Sequence, residues 1–222
     1  MGQGTGSSST SAARARLLGK ATELFYAEGI HSVGIDRIIA EAQVTRATLY
    51  RHFAGKEDLV LAYLDQADRG IRAGIEAATA GGQPAPGGSP VDGPGSPAGG
   101  QPAVGSPAGG QSAADTVRAI ARFITEGIQS PGFRGCAFLN AVAEYPDPAH
   151  PIHQAVLTHR QWFLETVTGL LAQVGDEPAD AAGRHLVMLR DGAMAAGCLF
   201  DPELISDTFH HGVDGILRAR GA

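Results

Sequence analysis

The stretch Ile35–Lys56, IDRIIAEAQVTRATLYRHFAGK, constrains the fold of this chain more than any other. Its apolar residues fall into two clusters: Ile35, Ile38, Ile39 and Ala42, then Val44, Leu49 and Phe53. The clusters sit too close together for two long helices and lack the alternation of a half-buried strand. Two short helices joined at about Ala42–Val44 meet both limits. In such a helix-turn-helix the first helix braces the second, and the second offers its N-terminal residues to base edges in a DNA major groove. Thr45 suits the N-cap of the second helix, because its hydroxyl can accept from an otherwise unpaired backbone N–H. Val44, Leu49 and Phe53 then face a small core, which leaves Arg46, Ala47, Thr48, Tyr50, Arg51 and His52 for solvent or DNA.

Helical periodicity governs the rest of the chain. From Ala12 to Glu28 the residues Leu17, Leu18, Ala21, Leu24 and Phe25 share one face, and Gly29 ends the pattern as glycine commonly ends a helix. A fourth helix starts near Lys56 and carries Leu59, Val60, Tyr63, Leu64 and Ala67. Further stripes predict helices through Val117–Ile128, over Gly135–Glu144, Ile152–Val174, Pro178–Phe200 and Glu203–Arg218. The fold class expected is all-α, with about nine helices and no strand. Residues 81–111 break the pattern: this segment holds one charge, Asp92, and repeats GSPAGGQ at Gly95–Gln101 and Gly105–Gln111. Such a composition cannot offset the entropy of ordering, so it reads as a disordered, flexible insertion.

Charge separates the two ends. Residues 11–58 carry seven Arg/Lys against six Asp/Glu, whereas the remainder carries ten against seventeen, within a net charge of -6. A chain of that balance does not coat nucleic acid non-specifically, but it can present a local basic face. Cys136 and Cys198 form no paired motif, which argues against a disulfide framework or a cysteine-based zinc site. No apolar run approaches the ~20 residues of a membrane-spanning helix, and residues 1–10 do not resemble a signal peptide. The expected location is therefore cytoplasmic, associated with the nucleoid.

The run Val44-Thr45-Arg46-Ala47-Thr48-Leu49-Tyr50-Arg51-His52-Phe53, with Gly55-Lys56 after it, resembles the V-S-x-x-T-L-Y-x-H-F-x-x-K signature of TetR-family transcriptional regulators. Upstream, Ala21-x-x-Leu24-Phe25-x-x-x-Gly29 is similar to the family's first helix and turn. The resemblance implies an N-terminal three-helix helix-turn-helix domain followed by a C-terminal helical domain for ligand binding and dimerisation. It implies that Thr45, Arg46, Ala47 and Thr48 meet bases and that Tyr50, Arg51, His52 and Lys56 hold phosphates. Arginine can donate two hydrogen bonds to guanine, and a threonine or alanine methyl can touch thymine. One position departs from the pattern: Val33-Gly34 stands where the family usually has Thr or Ser leading into the first helix of the motif.

The organisation expected is a disordered tail over 1–11, a DNA-binding domain over 12–56, a connecting helix over 57–80, the insertion over 81–111, and an effector-binding and dimerisation domain over 112–222. A single motif of this size binds weakly, so a homodimer on a palindromic operator in double-stranded DNA is expected. Its interface is assigned to the last two helices through Gly192, Ala193, Ala196, Phe209, Val213 and Ile216. A pocket for an unknown, small lipophilic effector is assigned to Tyr63, Phe123, Phe138, Asn140, Trp162, Phe163 and Met188. His150, His153 and His159 lack firm ligand spacing, so neither a metal nor any other cofactor is expected. No nucleophile motif or phosphate loop is present, and the chain is read as no enzyme, without catalytic residues. The function expected is a repressor released from its operator by the ligand. The alternatives are a regulator without a small-molecule effector, or an activator.

Overall fold

The computed structural model describes residues 5–80 and 112–222, with side chains from residue 12 onward. The insertion expected at 81–111 and the first four residues of the expected tail lie outside the described residues. Nine helices and no strand make up what is described: α1 (Thr5–Glu28), α2 (Ile35–Ala42), α3 (Arg46–His52), α4 (Lys56–Thr79), α5 (Ala113–Gln129), α6 (Ala137–Glu144), α7 (Pro151–Leu171), α8 (Asp180–Ala196) and α9 (Pro202–Ala219). The all-α expectation is met.

The ends of these helices have local causes. α1 starts at Thr5, ahead of the apolar pattern that begins after Ala12, through a Gly/Ser/Thr run that holds no proline. α8 stops at Ala196, short of the expected Phe200, with Gly197 as its C-cap. Asp201 then caps α9: its carboxylate accepts from the N–H of Glu203 at 2.9 Å and of Leu204 at 3.1 Å, and Pro202 takes the first turn.

The chain divides into two compact units. The first holds the described chain up to Asp68 together with Ala137–Val156, and the second holds Arg69–Cys136 and Leu157–Ala222 as far as these are described. In the first, α1 packs on α2 and α3, and Leu17, Ala21, Phe25, Ile38, Leu49, Phe53, Leu59 and Val60 are buried. The Phe25 and Tyr63 rings meet at 5.9 Å. Phe138 and Ile152, from the later segment, are buried in full.

In the second unit α9 packs against α5 and α8. Ile120, Ile124 and Ile128 of α5 join Phe209, Val213, Ile216 and Leu217 of α9 in one core with Leu186 and Ala193 of α8. The helices approach closely enough that a Cβ on Gly212 would stand 2.6 Å from Leu189 Cδ2, and one on Gly183 would collide with Thr168. Four of the six residues expected at the dimer interface are buried within the protomer in this arrangement. Phe209 and Val213 are 1% exposed, and Ile216 and Ala193 are buried with them, so these four face the protomer's own core. Ala196 is half-buried, and of the six only Gly192 is exposed. The apolar side chains that do reach the surface here are Met188, Leu199, Phe200 and Leu204, which are 73%, 75%, 63% and 62% exposed. Among the described residues no helix is long and apolar enough to cross a membrane.

Candidate nucleic-acid interface

The turn between α2 and α3 is built from backbone geometry. Gln43 caps α2 in the left-handed region at φ 52, and its N–H reaches the carbonyls of Ile39 and Ala40. Thr45 returns to extended backbone, and its Oγ1 accepts from the Thr48 N–H at 3.1 Å. Leu49 and Phe53 point into the core, which rotates Arg46, Ala47, Tyr50 and Arg51 to the exposed side. Tyr50 is 49% exposed, a large fraction for a tyrosine on so short a helix.

Three of the expected contact residues form a polar cluster at the start of α3. The Thr45 and Thr48 hydroxyls lie 2.9 Å apart, and Arg51 Nη2 donates to Thr48 Oγ1 at 3.1 Å. The Thr45 hydroxyl is thus engaged in capping, which leaves its methyl as the group free to meet a base. Arg46 forms an ion pair with Asp36 in the first turn of α2. Both side chains are largely exposed, and such a pair contributes only about 0–1 kcal/mol, so it yields readily to a better partner. Arg37 is tied more tightly: it pairs with Glu28 and with Glu41 at 3.0 Å, which raises its pKa further through hydrogen bonds to both acids. Two carboxylates thus share the Arg37 guanidinium, whereas Arg51 pairs with a hydroxyl alone in the contacts described.

The remaining expected phosphate contacts are His52 and Lys56. His52 is half-buried and its Nε2 is buried without a partner, so that nitrogen does not face a phosphate as the side chain stands. Lys56 opens α4; partial burial lowers its pKa, and the nearby Glu144 carboxylate opposes that shift. Asp58, one turn on, accepts from the Ala54 N–H at 3.0 Å and occupies part of the α4 N-terminus itself.

At the departure noted in sequence, α2 begins from Gly34 with no side-chain cap, and Val33 is buried. A Cβ on Gly34 would meet nothing within 4 Å, and its backbone is already extended at φ -82. Gly34→Ser is expected to stabilise the chain by a few tenths of a kcal/mol, since a serine N-cap exceeds glycine by about that much. Thermal unfolding should then rise by roughly 1 °C; a fall would show that the turn has no room for a capping hydroxyl.

The expected effector residues are divided between the two units. Tyr63, Phe138 and Asn140 lie in the first unit, whereas Phe123, Trp162, Phe163 and Met188 lie in the second. Tyr63 and Phe138 are closed into core, and Asn140 is exposed. Met188 is among the most exposed apolar residues described, so its assignment to a pocket is corrected: it points to solvent from α8. Trp162 is covered by the Arg72 guanidinium at 4.0 Å from its ring centre.

The group that apolar patterning missed is Arg190, 5% exposed in the second unit. It pairs with Asp191 at 3.0 Å, donates from Nη2 to Cys136 Sγ at 3.4 Å, and stands 5.4 Å from the Phe163 ring centre. Its Nε is buried with no partner. Of the histidines weighed as metal ligands, His150 pairs with Glu57 at 3.5 Å, His153 Nδ1 lies 2.8 Å from the Tyr145 carbonyl, and His159 is buried beside Trp162.

Comparisons with known proteins fall on the same region and then extend beyond it. Residues 17–63 match the family model described as bacterial regulatory proteins, tetR family. A crystal structure of a TetR-family transcriptional regulator from Streptomyces coelicolor is 67% identical, with a TM-score of 0.81 over 96% of this chain and 97% of that one. The HTH-type transcriptional regulator YjdC of Escherichia coli is 28% identical over 104 residues, which span 46% of this chain and about half (54%) of that protein. The HTH-type transcriptional activator FasR of Mycolicibacterium smegmatis is 37% identical over 65 residues, 29% of this chain and 30% of that one.

Proposed function

The chain belongs to the TetR family of transcriptional regulators, and from that premise we propose that it is a homodimeric repressor, released from a palindromic operator by a small, largely apolar ligand. DNA-binding transcriptional regulation is the activity of the family. The observation that carries the reading is the capped, seven-residue α3, braced by α2 and turned so that Arg46, Ala47, Tyr50 and Arg51 are exposed together. In this reading Arg46, Ala47 and Thr48 meet base edges, with the Thr45 methyl beside them. Tyr50, Arg51 and Lys56 hold phosphates, and His52 joins them once its ring turns outward.

The exposed side chains of α8 and the α8–α9 junction support dimerisation. Met188, Gly192, Ala195 and Leu199 recur at helical spacing, with Phe200 and Leu204 beyond them, and an apolar patch of this kind marks an interaction surface. This replaces the buried stripe expected from sequence. The unpaired Arg190 Nε supports an effector with an apolar body and one hydrogen-bond acceptor, since a buried donor without a partner costs stability that such an atom restores. The effector must favour the released conformer by several kcal/mol to clear the operator.

The test is selection from a random-sequence DNA library by the wild-type protein. The expected product is a palindrome whose half-site centres lie about one helical turn, or a multiple of it, apart, bound with affinity that falls steeply with salt. Equal binding to a scrambled duplex would overturn the reading. The match to a protein called an activator favours a second reading, in which the output is activation. Transcription from the selected site in vitro separates the two by its sign.

A further inference from the structure

The turn between α1 and α2, residues 29–34, decides where α2 begins and therefore how α3 is held. Gly29 leaves α1 in the left-handed region at φ 90, and the only backbone bond described within the turn beyond it runs from the Val33 N–H to the Ile30 carbonyl at 3.3 Å. The N–H groups of Ile30 and His31 are taken instead by a side chain more than 110 residues away in sequence. Glu144, the last residue of α6, accepts from Ile30 through Oε1 at 2.7 Å and from His31 through Oε2 at 2.5 Å. The same carboxylate lies 3.4 Å from His31 Nδ1.

The corner that follows Glu144 makes a second contact. The Tyr145 ring lies between His31 at 4.8 Å and His150 at 4.7 Å, and His150 in turn meets Glu57 in the first turn of α4. Residues 144–150 therefore touch both the segment that leads into α2–α3 and the one that leaves it. Of the chain beyond the insertion, only Ala137–Val156 belongs to the unit that holds the helix-turn-helix.

We infer that Glu144 is a positioning residue for DNA recognition: its carboxylate holds the two N–H groups of Ile30 and His31 in the turn that leads into α2, and so couples the place of α6 to the pose of α2 and α3. A carboxylate accepting two backbone N–H bonds is a strong, charge-assisted clasp. It is also short-ranged, because a shift of about 1 Å takes both bonds beyond hydrogen-bonding distance. Displacement of α6 thus loosens α2, and operator affinity reports it. The inference rests on the regulator reading for its DNA consequence, and on the geometry alone for the clasp.

The test compares full-length wild type and Glu144→Gln on the selected duplex and on a scrambled one. Glutamine keeps one acceptor oxygen but loses the charge and the second acceptor. For Glu144→Gln we expect at least a tenfold loss on the selected duplex and little change on the scrambled one. Amide hydrogen exchange at Ile30 and His31 should accelerate in the same samples. Glu144→Asp, which keeps the charge on a shorter arm, serves as the milder variant if Glu144→Gln does not fold, and it should show the same effects in smaller degree. A merely structural role would lower thermal stability and leave the ratio of selected to scrambled binding unchanged, and that result overturns the inference. If wild type itself shows no sequence preference, the regulator reading fails instead. Amide exchange then decides the clasp, and unchanged exchange at Ile30 and His31 overturns it.

Discussion

Replacing Arg46 with alanine is expected to weaken binding to the selected operator by about 10- to 100-fold per half-site, the loss attached to one bidentate arginine–guanine pair. The starting state supports so large an effect. In the free protein Arg46 is paired with Asp36, but both side chains are exposed, so the pair contributes little and its exchange for guanine is favourable. Binding therefore retains nearly the whole of the base contact, and the alanine variant forfeits it. Because the residue reads bases, affinity for a scrambled duplex should fall far less than affinity for the operator. Asp36→Ala is the companion variant. It frees Arg46 and removes a negative charge beside the groove, so it should tighten scrambled and selected binding together. Equal losses on both duplexes for Arg46→Ala would reassign this residue to phosphate, and no loss on either would remove α3 from the interface.

How far this site was legible in the sequence depends on how local each determinant is. The Thr45 cap, the inward Leu49 and Phe53 and the outward Arg46 and Tyr50 are decided within one short helix. Residue type and spacing were enough to place them. The departure at Val33-Gly34 was visible for the same reason. The clasp on the turn just before it was not, because Glu144 looks like any acid at a helix end until the fold brings it to Ile30 and His31. Arg190 escaped notice in a similar way: a lone arginine in an amphipathic helix usually faces water, and here it faces Cys136 and Phe163. The α9 stripe shows a different limit. Periodicity identified Phe209, Val213 and Ile216 as the covered side of the helix, but it carries no information about what covers it. Within the protomer, α5 and α8 of the same chain do so.

That burial moves the dimerisation test to other residues. Changing Leu199 and Leu204 together to glutamate is expected to turn the proposed dimer into a monomer and to weaken operator binding by about 10²- to 10⁴-fold, the gain that linkage of two half-sites supplies. A symmetric dimer presents one patch to its own copy, so each glutamate also meets a neighbourhood made acidic by the same change. Leu199 and Leu204 are 75% and 62% exposed, so the protomer loses almost no core packing, and its helical content should persist. Binding to a duplex with a single half-site should likewise stay at the wild-type level, since α3 is untouched. Val213→Asp makes the contrast. At 1% exposure it sets an unpaired charge inside the α5–α9 core, and it should unfold the protomer rather than separate two of them. Sedimentation and circular dichroism on the two variants distinguish these outcomes. A Leu199→Glu/Leu204→Glu protein that remained dimeric would show that the exposed apolar patch serves another contact.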